Sequence, residues 1–93
     1  PSADPEQQIV ADRYRGLALL AVGRADQAAA TLAPIVSHLR GDLELRMGLA
    51  RALAETGKTA SARFEYGAIL QEFSLDVDTR QTIEKELAQV SGR

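Results

Sequence analysis

A pattern of six residues written twice, at a separation of 34, constrains this chain more than any other feature. Gly16, Leu19, Gly23, Ala28, Leu32 and Val36 are followed by Ala50, Leu53, Gly57, Ala62, Tyr66 and Leu70, each matched in physical character to its partner. The charged residue after each turn glycine recurs too, as Arg24 and Lys58. A self-match at this period marks a helical repeat, in which one supersecondary unit buries its apolar face only by stacking on the next. The class of function implied is a binding scaffold. The period does not name what is bound.

Composition agrees with closely packed helices. A chain of 93 residues makes one domain at most and buries roughly 60 to 70% of its unfolded surface. That leaves little room for a large enclosed active site. Hydrophobic residues make up 45% and charged residues 26%, which places the chain among globular rather than disordered sequences. Aromatic residues are only 4%. Ala and Leu carry the apolar count instead, and Ala both favours helix and lets helix axes approach.

A net charge of −2 with a pI near 5.3 offers no basic field for a phosphate backbone, so no nucleic-acid partner is expected. Without Cys there is no thiolate metal site and no redox signal of compartment. No apolar run reaches the ~18 residues of a membrane span, and no signal-peptide pattern is present, so the chain is not expected to insert into a membrane. Because it begins at Pro1 without Met, we expect it to be a fragment of a longer protein.

Taken in order, Pro1 to Ala3 lack periodicity and should fray. Asp4 then reads as a helix N-cap with Pro5 at the first helical position. Ile9, Tyr14, Leu17, Leu20 and Ala21 recur at helical spacing up to Gly23, which suits a left-handed stop. A second helix follows from Asp26 through Ala28, Ala29, Leu32, Ile35, Val36 and Leu39. Pro34 interrupts it at a cost of about 3 kcal/mol, predicting a kink or a break. Gly41-Asp42 closes the first unit and caps the next.

A third helix spans roughly Leu43 to Thr56 and stops at Gly57. The fourth is expected to start at Thr59 as N-cap and to bury Ala62, Tyr66, Ile69, Leu70 and Phe73, with Phe64 packing beneath the fifth helix. Asp76 caps that last helix, whose apolar positions are Val77, Ile83, Leu87 and Val90. The period extended once more puts Glu84 where a small residue should pack, so the array should end with Glu84 facing water.

These residues resemble the tetratricopeptide repeat family, whose 34-residue units pair helix A with helix B. The resemblance implies an all-α fold, an α-solenoid of two helix-turn-helix units with a C-terminal capping helix, five helices in a single domain over 1–93. Its units would cover about 9–42 and 43–76, with the cap at about 77–91. The match rests on the small and bulky pairs Gly16/Leu19 and Ala50/Leu53, the turns Gly23 and Gly57, and the helix B pairs Ala28/Leu32 and Ala62/Tyr66. Two features of the family pattern are missing. Asp12 and Arg46 stand where an aromatic is common, and Arg40 and Ser74 where a closing Pro is.

The tail, Ala62-Arg63-Phe64-Glu65-Tyr66 followed by Asp76-Val77-Asp78-Thr79-Arg80-Gln81, is similar to the end of the periplasmic repeat domain of surface lipoprotein assembly modifiers. That likeness implies a place beside a bacterial outer-membrane β-barrel. The compartment stays open between cytoplasm and periplasm, with a lean to the periplasm.

The family resemblance implies binding of a partner peptide or helix on the concave surface lined by helix A. By register that surface carries Arg13, Leu17 and Leu20 from the first unit and Glu44, Met47, Arg51 and Glu55 from the second, with Val10, Ala21 and Ala54 between them. Arg13 and Arg51 flanking Leu17, Leu20 and Met47 suit a peptide with an acid and an apolar anchor, and Met adapts to irregular partners. The competing reading makes the arginines solvated surface and Leu20 and Met47 core. A third use of the chain is self-association, or packing against the rest of the parent protein through its stacking ends.

The Lys and Asn pair by which cochaperone repeats clamp a carboxylate has no counterpart, since Arg13 is followed by Leu17. His38 is the only histidine and cannot build a transition-metal site. The scattered glycines match no nucleotide fingerprint, and Glu84-Lys85-Glu86 reads as a solvated face. No cofactor, no metal and no catalytic residue is expected.

Overall fold

The computed structural model describes residues 4–92, so the expectation for Pro1 to Ala3 lies outside the described residues. It is all-helical over that range. α1 runs Pro5–Ala21, α2 Ala25–Leu32, α3 Leu43–Glu55, α4 Thr59–Glu72 and α5 Val77–Ser91, with a 3₁₀ helix, Ala33–His38, continuing α2. Successive helices pack as antiparallel neighbours, α1 on α2, α2 on α3, α3 on α4 and α4 on α5.

The two hairpin turns are built identically. Gly23 and Gly57 take φ of 85° and 80°, a left-handed conformation that glycine enters without a Cβ penalty. In each turn the charged residue after the glycine returns its N–H to the helix it leaves, Arg24 to the Leu19 carbonyl at 2.8 Å and Lys58 to the Leu53 carbonyl at 2.9 Å. The glycine N–H groups reach Leu20 and Ala54 at 3.1 and 3.2 Å, satisfying carbonyls that the ending helix leaves open.

That geometry corrects the start of α4. The turn consumes Gly57 and Lys58, so Lys58 is the N-cap and Thr59 is already helical. Its hydroxyl donates to the Gly57 carbonyl at 3.4 Å instead of capping. The other caps follow the sequence: Asp4, Asp42 and Asp76 accept from the N–H groups of Glu6, Leu45 and Thr79. At Pro34 the chain has passed from α to 3₁₀ winding, α2 ending at Leu32, which accommodates a residue without an N–H.

Two linked cores result. Ala25, Ala28, Ala29, Leu32, Ile35, Leu45, Leu49 and Ala52 form the first, with Ile9, Leu17, Leu19 and Leu20 against it. Ala50, Ala54, Ala62, Tyr66, Ile69, Ile83 and Val90 form the second, with Met47, Leu70, Phe73 and Leu87 at its border. The small residue of helix A is a steric requirement at Gly16, where a Cβ would stand 2.4 Å from Leu32 Cδ2.

Three apolar expectations fail for one reason. Tyr14, Phe64 and Val77 are 65%, 72% and 68% exposed. Tyr14 lies two residues before the buried Gly16 and Phe64 two before the buried Tyr66, about 200° round the helix at 100° per residue. Val77 is off the Ile83 face by the same reckoning. Phe64 therefore does not pack beneath α5. Tyr14 instead lies beside the Arg13 guanidinium, 5.7 Å from its ring centroid. Glu84 is exposed, as the register requires.

Candidate functional site: a groove between α3 and α5

An open groove of about 380 Å³ lies between α3 and α5, lined by Leu43, Glu44, Met47, Arg51, Thr79 and Thr82. Its floor is apolar, from Leu43 and Met47, which also border the second core. The wall from α5 is hydroxylic. Thr82 donates its hydroxyl to the Asp78 carbonyl at 3.0 Å.

Of the seven residues expected to bind a partner, the groove gathers Glu44, Met47 and Arg51. Leu17 and Leu20 are half-buried against the first core. They meet α3 at Gly48, where a Cβ would come 2.6 Å from Leu17 Cδ2 and 3.8 Å from Leu20 Cδ2. Arg13 stands just beyond the groove, joined to it through Glu44. Glu55 is exposed at the end of α3, away from the lining. Thr79 and Thr82 were missed, although the period that locates Glu84 also sets them 34 residues after Leu45 and Gly48.

Both arginines are engaged by the chain's own carboxylates. Arg13 donates through Nε and Nη2 to Asp42, and through Nη2 to Glu44 at 2.7 Å. This pairing holds the Asp42 carboxyl below the usual carboxylate range, the Arg13 hydrogen bond being the main cause, and raises Arg13 above its ordinary value. Arg51 makes a fork to Glu86, Nε to Oε1 at 2.9 Å and Nη2 to Oε2 at 2.8 Å. Tyr66 adds its hydroxyl to Glu86 Oε1 at 2.8 Å.

Glu86 is accordingly held below the usual range, first by Arg51 and then by Tyr66, against a desolvation that acts the other way. The reading of Glu84-Lys85-Glu86 as a solvated face therefore holds for Glu84 and fails for Glu86. Glu86 sits one turn beyond Ile83, close enough to the buried stripe to be drawn to Arg51 and Tyr66.

A second cluster explains the missing aromatic of helix A. Arg46 is 1% exposed and donates through Nη1 to the Arg40 carbonyl at 3.1 Å and to Glu72 at 2.6 Å. Its guanidinium lies 5.5 Å from the Phe73 ring centroid, a cation–π arrangement, and its Nε has no hydrogen-bond partner. Arg40 reaches the same Glu72 at 3.0 Å. The aromatic surface thus comes from α4's end rather than from α3, and the cluster ties the end of the 3₁₀ segment to the end of α4.

The model of the tetratricopeptide repeat family matches residues 19–78. Comparison with curated proteins and comparison with solved structures each find no match. Repeats of this family generally mediate contacts between proteins. With the 34-residue period, the paired left-handed glycine turns and the antiparallel hairpins, that match makes the chain a member of the tetratricopeptide repeat family.

Proposed function

We propose that the chain is a non-catalytic interaction module, a single domain of two units over about 9–42 and 43–76 closed by a capping helix, and that it binds a partner segment in the α3/α5 groove. The observation that carries this is the groove itself: apolar at Leu43 and Met47, polar at its rim, open to solvent and on the helix A side of the array. Such a mixture of apolar floor and few polar groups is what a recognition surface needs.

A photo-crosslinking amino acid placed at Thr82 tests the reading, with Phe64 on another face as control. Capture from the parent cell at Thr82 and not at Phe64 supports the groove. Capture at Phe64 alone removes it.

A second reading rests on the similarity of the tail to surface lipoprotein assembly modifiers. It makes this chain the periplasmic part of an outer-membrane translocon. What favours it is that the similar stretch forms the last helical pair, α4 and α5, joined by a short connection. The parent gene decides it: a signal sequence and alternating β-barrel strands support it, and a cytosolic parent ends it.

A further inference from the structure

The groove's charge is the reverse of what its two arginines suggest. Arg13 alone answers two carboxylates, Asp42 and Glu44, and Arg51 is neutralised by Glu86. At the end of the groove where α3 and α5 begin, Glu44 lines the wall, Asp42 and Asp76 cap the two helices, and the exposed Asp78 directly precedes the lining residue Thr79. Asp42 and Asp76 are both held below the ordinary aspartate range, Asp42 chiefly by Arg13 and Asp76 by the Thr79 N–H, so neither gives up its charge at neutral pH. Glu44 is the freest of the set, its side chain 73% exposed. Asp78 takes the same register position on α5 as Glu44 on α3, 34 residues on, and is exposed as well. The helix N-termini offset part of this charge, and Arg80 stands two residues from Asp78, yet the four carboxylates still outnumber Arg13 and Arg80 by two.

Resting on the groove reading above, we propose that the occupant is a basic peptide segment: an extended stretch with one apolar side chain for Leu43 and Met47 and a Lys or Arg placed toward Glu44 and Asp78. An acidic segment would have to displace Glu86 from a two-point fork with Arg51 or compete with Asp42 for Arg13. A cation meets the exposed Asp78, and Glu44 beside its pair with Arg13, without displacing the Arg51 fork. Lys85, exposed at the Arg51 register position on α5, lies toward the other end and sets the direction of the segment, with its own acid or terminal carboxylate at that end.

Two short acetylated peptides, identical except for Lys or Glu beside a central Leu, serve as probes, and the Met47 methyl group and the Thr79 and Thr82 amides report by NMR. Met47 is the chain's one methionine, so its methyl signal is unambiguous. The Lys peptide is expected to shift these signals, and Glu44→Gln with Asp78→Asn to weaken it about tenfold. That loss should shrink as salt rises from 50 to 500 mM, the higher value screening exposed charges beyond a few ångströms. Circular dichroism melts show that the double variant folds. If the Glu peptide binds and the Lys peptide does not, the basic-segment proposal is wrong while the groove stands. Shifts from neither peptide overturn both.

Discussion

Arg51 and Glu86 meet through two hydrogen bonds, of 2.9 and 2.8 Å, and in doing so fasten α5 to α3, the helix that carries the groove. Tyr66 completes the contact from α4, so one carboxylate joins three helices. Arg51 lines the groove together with the two threonines of α5, so the joint lies at the groove itself.

The joint makes stability depend on acid. Glu86 has a folded-state pKa below its ordinary value of 4.5, so its contribution is fully present above that value and is lost as pH falls through the depressed one. Asp42 acts with the same sign below 3.8. The melting temperature should therefore be flat above about pH 6 and fall from about pH 5 downward. Glu86→Gln should cost about 1 kcal/mol at pH 7, discounted for solvent screening, and flatten the acid limb. Thermal melts of both proteins from pH 3 to 7 check this.

Two glycines separate a rigid contact from a yielding one. An Ala at position 16 brings its Cβ within 2.4 Å of Cδ2 and 2.6 Å of Cγ of the fully buried Leu32. At position 48 the clash is with the tip of the half-buried Leu17 alone. Overpacking costs about 1–3 kcal/mol, and the better helix propensity of Ala returns about 1. Gly16→Ala should be destabilising by about 2 kcal/mol and Gly48→Ala close to neutral, measured by urea unfolding.

Arg46 is buried by its packing rather than for its charge. Its Nε lacks a partner, and Glu72 keeps Arg40 if Arg46 is removed. Arg46→Met, which preserves most of the volume, should lie within about 1 kcal/mol of the parent. Arg46→Ala leaves a cavity beside Phe73 and should cost about 2–4 kcal/mol. Equal losses in the two variants would show that the ion pair, not the packing, holds this corner.

Much of the fold was legible because the period carries it. Gly23 and Gly57 fixed both turns, and three aspartates fixed three helix starts, since each of these features acts through its own backbone. Helix faces were legible only where apolar residues were consistent with a neighbour 34 away. Tyr14 and Phe64 have only Gly48 and Ala30 as counterparts, Val77 has the half-buried Leu43, and apolar character alone placed all three wrongly. The site was less legible, because partners distant in sequence decide it. Nothing local to Arg13, Arg46 or Arg51 reveals that Asp42, Glu72 and Glu86 lie 29, 26 and 35 residues away and claim them. The same period, carried onto α5, points to Thr79 and Thr82.

Leu17 and Arg51 serve the core and the joint, so substitutions there confound binding with folding. Met47 borders the groove and is only half-buried, and Phe64 is the matched control on an exposed face. The decisive measurement is the affinity of the partner captured through Thr82 for Met47→Gln and Phe64→Gln proteins, each first shown to be helical and to melt as one transition. The account predicts about tenfold weaker binding or more for Met47→Gln, as expected when an apolar anchor loses its pocket, and no change for Phe64→Gln. Full affinity in Met47→Gln with loss in Phe64→Gln would contradict it and move the binding surface to α4.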